Sequence, residues 1–185
     1  MENKTNLDCK ENICEKVEQI KTLFSQSQDF VYKEHKNDGE LFELLYIDSL
    51  VNLQYLDQYI LPKLSECKDG SIKSHLQALF QIEEVTSKSM EDVASLLFEG
   101  NVIFNAEDSL LSLKAGEFPK RQPEESALET SIRGPKDGFV EDIKTNISLI
   151  RRRLNTPSLC MEKFTIGKRR DRKSTRLNSS HLLIS

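Results

Sequence analysis

The chain has 185 residues, 37% of them hydrophobic and 30% charged, with nine Phe, four Tyr and no Trp. That apolar content suffices for a single core and excludes wholesale disorder, while seven Gly and five Pro exclude collagen-like and low-complexity classes. The formal charge of −4 is unevenly placed, because Lys168 to Arg176 contributes +5 and leaves −9 on residues 1–167. Apolar clusters such as Leu44-Leu45-Tyr46-Ile47 fall far short of the ~18 residues of a membrane helix. No apolar stretch follows Met1-Glu2-Asn3-Lys4, so no secretory signal is expected and the chain reads as soluble. Cys9, Cys14, Cys67 and Cys160 form no C-x-x-C pair and have no clustered histidine, which predicts reduced thiols in a cytosol-facing protein, not a zinc or redox centre.

Ile13, Val17, Ile20 and Phe24 recur at helical spacing and predict an amphipathic helix over about 9–26. Phe30 to His35 reads as a strand, Asn37-Asp38-Gly39 as a hairpin turn, and Leu41 to Ile47 as the return strand. The near-continuous apolar character of that return strand predicts burial on both faces. A second helix, capped by Asp48 or Ser49, carries Leu50, Leu53, Leu56 and Ile60 and is expected to end or kink at Pro62. After the Lys68-Asp69-Gly70-Ser71 loop, Ile72, Leu76 and Leu79/Phe80 predict a short helix. Ser89-Met90-Glu91-Asp92 has capping-box spacing before Val93, Leu96 and Leu97, and Gly100 stops that helix. Asn101 to Asn105 and Leu110 to Lys114 are the next strands, joined by a turn at Glu107-Asp108-Ser109. The fold class is therefore α/β (mixed α+β): a small mixed sheet of about four strands with flanking helices, ending in a long amphipathic helix.

Residues 119–138 differ in kind. Pro119, Pro123 and Pro135, with Gly134 and Gly138, mark an extended connector, and Asp137 is placed to cap the next helix through Phe139 or Val140. Over 139–154 Val140, Ile143, Ile147, Ile150 and Leu154 form one stripe, with Glu141 and Asp142 first and Arg151-Arg152-Arg153 last, as the macrodipole favours. Asn155-Thr156-Pro157 ends the helix and Met161 to Ile166 reads as a strand. Residues 173–185 show no helical period, cap or aromatic, and 170–185 is read as a tail foreign to the domain and set aside. The organisation expected is a first subdomain over 1–118, the connector over 119–138, the linker helix over 139–154 and the start of a second subdomain over 155–169.

The candidate chemistry is weak. Gly134-x-x-x-Gly138 is followed by Phe139-Val140 where a phosphate loop needs Lys-Ser/Thr, so it reads as a turn. Glu124, Glu125 and Glu129 read as a solvated acidic stretch, or as partners for Arg121 and Arg133, and not as an acid/base pair. His35, His75 and His181 are scattered and no G-x-S-x-G occurs. Arg151-Arg152-Arg153 has a structural use at a helix end, and no interleaved aromatics support nucleic-acid binding. No cofactor, metal or catalytic residue is expected.

The connector carries a resemblance. Pro119-Lys120-Arg121-Gln122-Pro123-Glu124-Glu125-Ser126-Ala127-Leu128-Glu129, then Ile132-Arg133-Gly134-Pro135-Lys136-Asp137-Gly138-Phe139-Val140-Glu141, then Asn146-Ile147 and Leu149-Ile150-Arg151-x-Arg153-Leu154 resembles the A subunit of the GerA-type spore germinant receptors. Ser126 stands where many members have proline, and the agreement ends near Arg170, where the family continues into a second soluble half and membrane-spanning helices. The resemblance implies the N-terminal hydrophilic domain of a non-enzymatic receptor subunit in the spore inner membrane, lying on the cytoplasmic, spore-core side. It implies B- and C-type receptor subunits and further A subunits as partners, no nucleic acid, membrane contact only through C-terminal sequence, and a part in linking nutrient sensing to ion release. The residues it points to for coupling are Arg121, Glu124, Glu125, Glu129, Arg133, Gly134, Pro135, Asp137, Gly138, Phe139, Glu141, Asn146, Arg151 and Arg153. A small-ligand-binding α/β domain of a signalling protein is the alternative.

Overall fold

The computed structural model describes residues 2–37, 40–66, 71–116, 141–166 and 172–179. Its centre is a five-stranded antiparallel sheet in the order β1-β2-β4-β5-β3. Those strands are β1 (Phe30–Asn37), β2 (Glu40–Ile47), β3 (Ile82–Glu84), β4 (Asn101–Ala106) and β5 (Ser109–Lys114). The hairpin register sets Asn37 opposite Glu40, as the Asn37-Asp38-Gly39 signal predicts, although Asp38 and Gly39 lie outside the described residues. The fold is mixed α+β in class as expected, but the sheet is antiparallel throughout, not mixed, and has one strand more than the sequence suggests: β3 is three residues long, too short to show a period of two.

Helices cover both faces, which explains the unbroken apolar run of β2. Phe42, Leu44 and Tyr46 point to one side and join Val102, Phe104, Leu111 and Leu113 beneath Leu56, Ile60, Leu64, Ile72 and Leu76. Leu45 and Ile47 point to the other and join Ile103 and Leu110 beneath Ile13, Val17, Ile20 and Phe24 of α1 (Glu2–Leu23) and Val93, Leu97 and Phe98 of α5 (Met90–Phe98). Each fully buried Leu, Ile or Phe contributes about 1.5–3 kcal/mol, so these two layers hold the domain together.

The helix after β2 departs from expectation in its cap, which is Asn52, whose side chain accepts from the Tyr55 amide, and not Asp48 or Ser49. At Pro62, where an end or a kink is expected, it does not end: α2 (Leu53–Tyr55) passes through a π-turn (Leu56–Ile60) into α3 (Leu61–Ser65). A proline ring clashes with the carbonyl four residues back in an α-helix. The wider turn, with the Leu61 amide bonded to Leu56 O, shifts the ladder just ahead of Pro62. Leu50 lies outside this helix and packs in the opposite layer, with Leu97 and Phe98. The later signals hold better. Ser71 caps α4 (Ile72–Leu79) and Ser89 caps α5, its hydroxyl accepting from the Asp92 amide.

Gly100 follows α5 at φ +85° and lets three segments meet. A Cβ there would lie 2.8 Å from Leu50 O and 2.9 Å from Gly116 Cα. Val51 bridges Gly116, and the Asn52 amide donates to Ala115 O at 2.9 Å, so residues 50–52 are clamped against the end of β5.

The linker helix, α6 (Ile143–Arg153), is capped by Asp142, which accepts from the Lys144 and Thr145 amides. It therefore starts later than 139. Val140, Asp137 and Phe139 lie outside the described residues, and Leu154 is 52% exposed, not part of a buried stripe. Beyond it β6 (Leu159–Ile166) pairs antiparallel with β7 (Arg172–Ser179), so part of the segment set aside in the sequence takes strand form.

Gly100→Ala is expected to cost about 2–3 kcal/mol, from the left-handed backbone and the clash with Leu50 O. Urea unfolding checks this, and an unchanged midpoint would refute the close approach. His35 stacks on Phe42 at 5.4 Å, and burial, helped by Lys33 and opposed by Asp57, holds its pKa below the ordinary 6.5. The fold thus favours neutral imidazole: its contribution is complete above pH 6.5 and declines as the pH falls below that value. Replacing His35 by Phe is expected to flatten the change in urea midpoint between pH 7.5 and 5.0, by roughly the His35 share of the slope.

Candidate functional site

Arg151 is the largest fully buried side chain, and its position decides how α6 meets the sheet. The α6 stripe explains why it points inward: Arg151 is one turn beyond buried Ile147 and next to half-buried Ile150. Its partner is Asp29, 122 positions earlier, in the short stretch between α1 and β1. Arg151 Nε donates to Asp29 Oδ2 at 2.9 Å and Nη2 to Oδ1 at 2.8 Å, with the two side chains 0% and 1% exposed. Nη2 also donates to Ser27 Oγ at 2.6 Å, and Nη1 to Thr156 O at 3.3 Å. The guanidinium lies 5.8 Å from the Phe98 ring centroid, against the α5 layer.

The network extends around both charges. Asp29 accepts further bonds from Ser27 Oγ at 2.7 Å and Ser49 Oγ at 3.3 Å. Ser27 Oγ donates once, to Asp29, and accepts twice, from Arg151 and from the Met161 amide at 3.1 Å. The same three-residue stretch grips β6: the Gln28 amide donates to Met161 O at 2.8 Å, and the Lys163 amide to Gln28 Oε1 at 2.8 Å. Asp48, whose amide donates to Asp29 O, adds ion pairs to Lys144 at 3.7 Å and Lys163 at 3.6 Å. α6 and β6 thus attach to the sheet domain through one polar joint.

A cleft of ≈ 430 Å³ opens beside the joint, between Ser49 to Gln54 on one wall and Asp142, Lys144, Thr145 and Ser148 on the other. A smaller one of ≈ 230 Å³ lies beside the last turn of α6, lined by Leu50, Phe98, Glu99, Lys114, Gly116 and Arg152.

Of the residues singled out by sequence, Arg151 is the one at the centre of this joint. Glu141 is exposed just ahead of the α6 cap, Asn146 is half-buried with its amide donating to Asp142 O, and Arg153 is exposed at the end of α6. Arg121, Glu124, Glu125, Glu129, Arg133, Gly134, Pro135, Asp137, Gly138 and Phe139 lie outside the described residues. The arginine triplet does not act as one group at a helix end, since Arg151 is buried in an ion pair while Arg152 and Arg153 are exposed. Asp29 and Ser27 carry no signal in the sequence, and Asp48 and Ser49, read there as helix caps, serve the joint instead. Helical phase could have marked Arg151, but nothing local distinguishes Asp29 from a solvated loop carboxylate. Among the described residues no group of three or more His, Cys, Asp or Glu could hold a metal ion, and no helix is long and apolar enough to cross a membrane.

Removing one partner of a buried pair strands the other charge at a cost of about 3–5 kcal/mol, whereas removing both does not. Asp29→Ala and Arg151→Met are each expected to lose that much, and the double variant clearly less than their sum. Urea unfolding of the four proteins checks this cycle, and strictly additive losses would show that the pair is not coupled.

The family model described as Bacillus/Clostridium GerA spore germination protein matches residues 18–176, which reaches past Arg170. Spore germination protein XA of Bacillus anthracis is 34% identical over 138 residues, covering 70% of this chain and 28% of that protein. Spore germination protein B1 of Bacillus subtilis strain 168 is 32% identical over 136 residues, with 70% and 28% covered. Spore germination protein KA of the same strain is 30% identical over 171 residues, with 84% and 30% covered. The chain thus spans about three-tenths of the length of these curated relatives. The crystal structure of the N-terminal domain of the A subunit of the Bacillus megaterium spore germinant receptor GerK3 shares the fold, with a TM-score of 0.56 at 20% identity, covering 88% of this chain and 62% of that one. Since the matched region takes in both the five-stranded sheet and the α6 joint, the chain belongs to the Bacillus/Clostridium GerA spore germination protein family.

Proposed function

We propose that this chain is the N-terminal hydrophilic part of a nutrient germinant receptor A subunit and acts without catalysis. It couples nutrient sensing to ion release through contacts with B- and C-type subunits and with further A subunits. The parent protein resides in the spore inner membrane, with this domain on the spore-core side. The observation that carries the reading is the buried Asp29–Arg151 pair, because it ties the helix that follows the Pro/Gly connector to the sheet domain with a fixed, bidentate geometry. A displacement of the connector is then passed to the sheet through a defined contact. The residues assigned to this coupling are Arg121, Glu124, Glu125, Glu129, Arg133, Gly134, Pro135, Asp137, Gly138 and Phe139 of the connector, followed by Glu141, Asn146, Arg151 and Arg153.

The ≈ 430 Å³ cleft beside the joint favours a second reading, a domain that binds a small ligand directly. Thermal-shift screening with amino acids, sugars and nucleotides separates the two. A shift at millimolar ligand supports direct binding, and none leaves coupling alone.

In an intact receptor, Arg133→Ala is expected to leave A-subunit abundance near normal and to slow germination by at least about tenfold, the equivalent of ~1.4 kcal/mol of lost coupling. Immunoblots of spore membranes and the loss of optical density after nutrient addition measure both. Normal germination in that variant would remove the coupling role of the connector.

A further inference from the structure

The apolar stripe of α6 is used on β6 and not on the sheet domain. Ile147 packs with Leu159 and Met161, and Ile143 and Ile150 pack against the same cluster, which is separate from the two layers around the sheet. What joins this small unit to the sheet domain is polar: Arg151 on Asp29 and Ser27, the backbone exchange between Gln28 and Met161, and the two lysines on Asp48. The buried part of that attachment is made by residues 27–29. The contacts farther out along α6 are long, with Lys144 Nζ 3.5 Å from Val51 O and 3.7 Å from Asp48. The cleft of ≈ 430 Å³ runs along the N-terminal half of α6, which is therefore not packed tightly against the sheet domain, and that of ≈ 230 Å³ flanks Arg152 beside the pin.

We infer that α6 and β6 form a lever that pivots as a unit on the Ser27–Asp29 segment, with the Arg151–Asp29 pair as its pin. The pin does not slide, because moving a guanidinium away from a buried carboxylate strands both charges. Rotation about it needs no such loss: the Ser27 and Gln28 contacts to Met161 lie on the pivot itself, and the Lys144 and Lys163 pairs with Asp48 are part-exposed and long, at 3.7 and 3.6 Å. In that rotation the N-terminal half of α6 closes on Ser49 to Gln54, whose wall is held by the Gly100–Gly116 contact and the Asn52–Ala115 hydrogen bond. The motion is a hinge between two internally packed bodies, and it does not require a ligand or a second subunit.

Distances between spin labels test this in the 185-residue chain with Cys9, Cys14, Cys67 and Cys160 changed to Ser. Labels at Gln54→Cys and Glu141→Cys span the larger cleft from exposed positions. Gln54→Cys with Glu91→Cys stays within the sheet domain, and Glu141→Cys with Glu162→Cys stays within the lever. The cleft pair is expected to give two populations, or one distribution roughly twice as broad as either reference pair. A cleft distribution as narrow as the reference inside the sheet domain overturns the pivot. A broad distribution within the lever overturns it equally, because α6 would then be loose on β6. A Cys-free chain that gives the circular dichroism and urea midpoint of the native one ensures that each outcome reports on the folded protein.

Discussion

Asp29 and Arg151 place two opposite charges where almost no solvent reaches them, and the rest of the joint follows from that constraint. Ionised groups lose several kcal/mol of hydration on burial, which mutual attraction offsets only when geometry is good and remaining donors and acceptors are filled. Here the carboxylate receives two bonds from one edge of the guanidinium and two serine hydroxyls, and Ser27 accepts a further hydrogen bond from the β6 backbone. Such a network adds little net stability over an apolar contact of the same size. What it fixes is position. A leucine could settle at many depths against Phe98, but a bidentate arginine has one arrangement, and that arrangement sets the height and direction of α6.

The sheet domain gives the joint something firm to attach to. β2 runs through the middle of the chain's two apolar layers, with alternate side chains committed to each. β1 braces it along its whole length, in register from Phe30–Ile47 to Asn37–Glu40. Its C-terminal end runs into Asp48 and Ser49, which face the joint, and then into Leu50 to Asn52, clamped beneath Gly100 and Gly116. The same short stretch thus supplies one partner of the ion-pair network and the wall of the cleft, so a change in one alters the other.

Sequence reading recovered what local physics determines and missed what distance determines. The buried character of β2, the Ser89 cap and the stop at Gly100 all follow from neighbouring residues, and all appear in the structure. The β4–β5 turn was also legible, although Glu107 and Asp108 take φ +49° and +57° without a glycine. Glu107 accepts from the hydroxyl of Ser71 and the amide of Lys73, and this holds the turn to the start of α4. Of the two outcomes expected at Pro62, an end or a kink, the helix does not end there, because the π-turn just ahead of it changes the bonding that the ring would otherwise block. The Arg151–Asp29 contact was invisible for another reason. Three consecutive arginines look equivalent until helical phase separates them, and their partner lies 122 residues away with nothing nearby to mark it.

The polarity of the joint can be traced to the composition of one helix. α6 reads Ile-Lys-Thr-Asn-Ile-Ser-Leu-Ile-Arg-Arg-Arg, with an apolar stripe only wide enough for one neighbour. β6 takes that stripe through Leu159 and Met161. The faces left for the sheet domain carry Lys144, Thr145, Ser148 and Arg151, none of which can contribute to an apolar seam. Any attachment on that side therefore has to be made from hydrogen bonds and ion pairs. Of these residues only arginine combines the reach and the planar set of donors needed to satisfy a buried carboxylate. A wider stripe would have fused α6 to the α5 layer and filled both clefts. The narrow one leaves a helix held firmly at one buried point and lightly elsewhere.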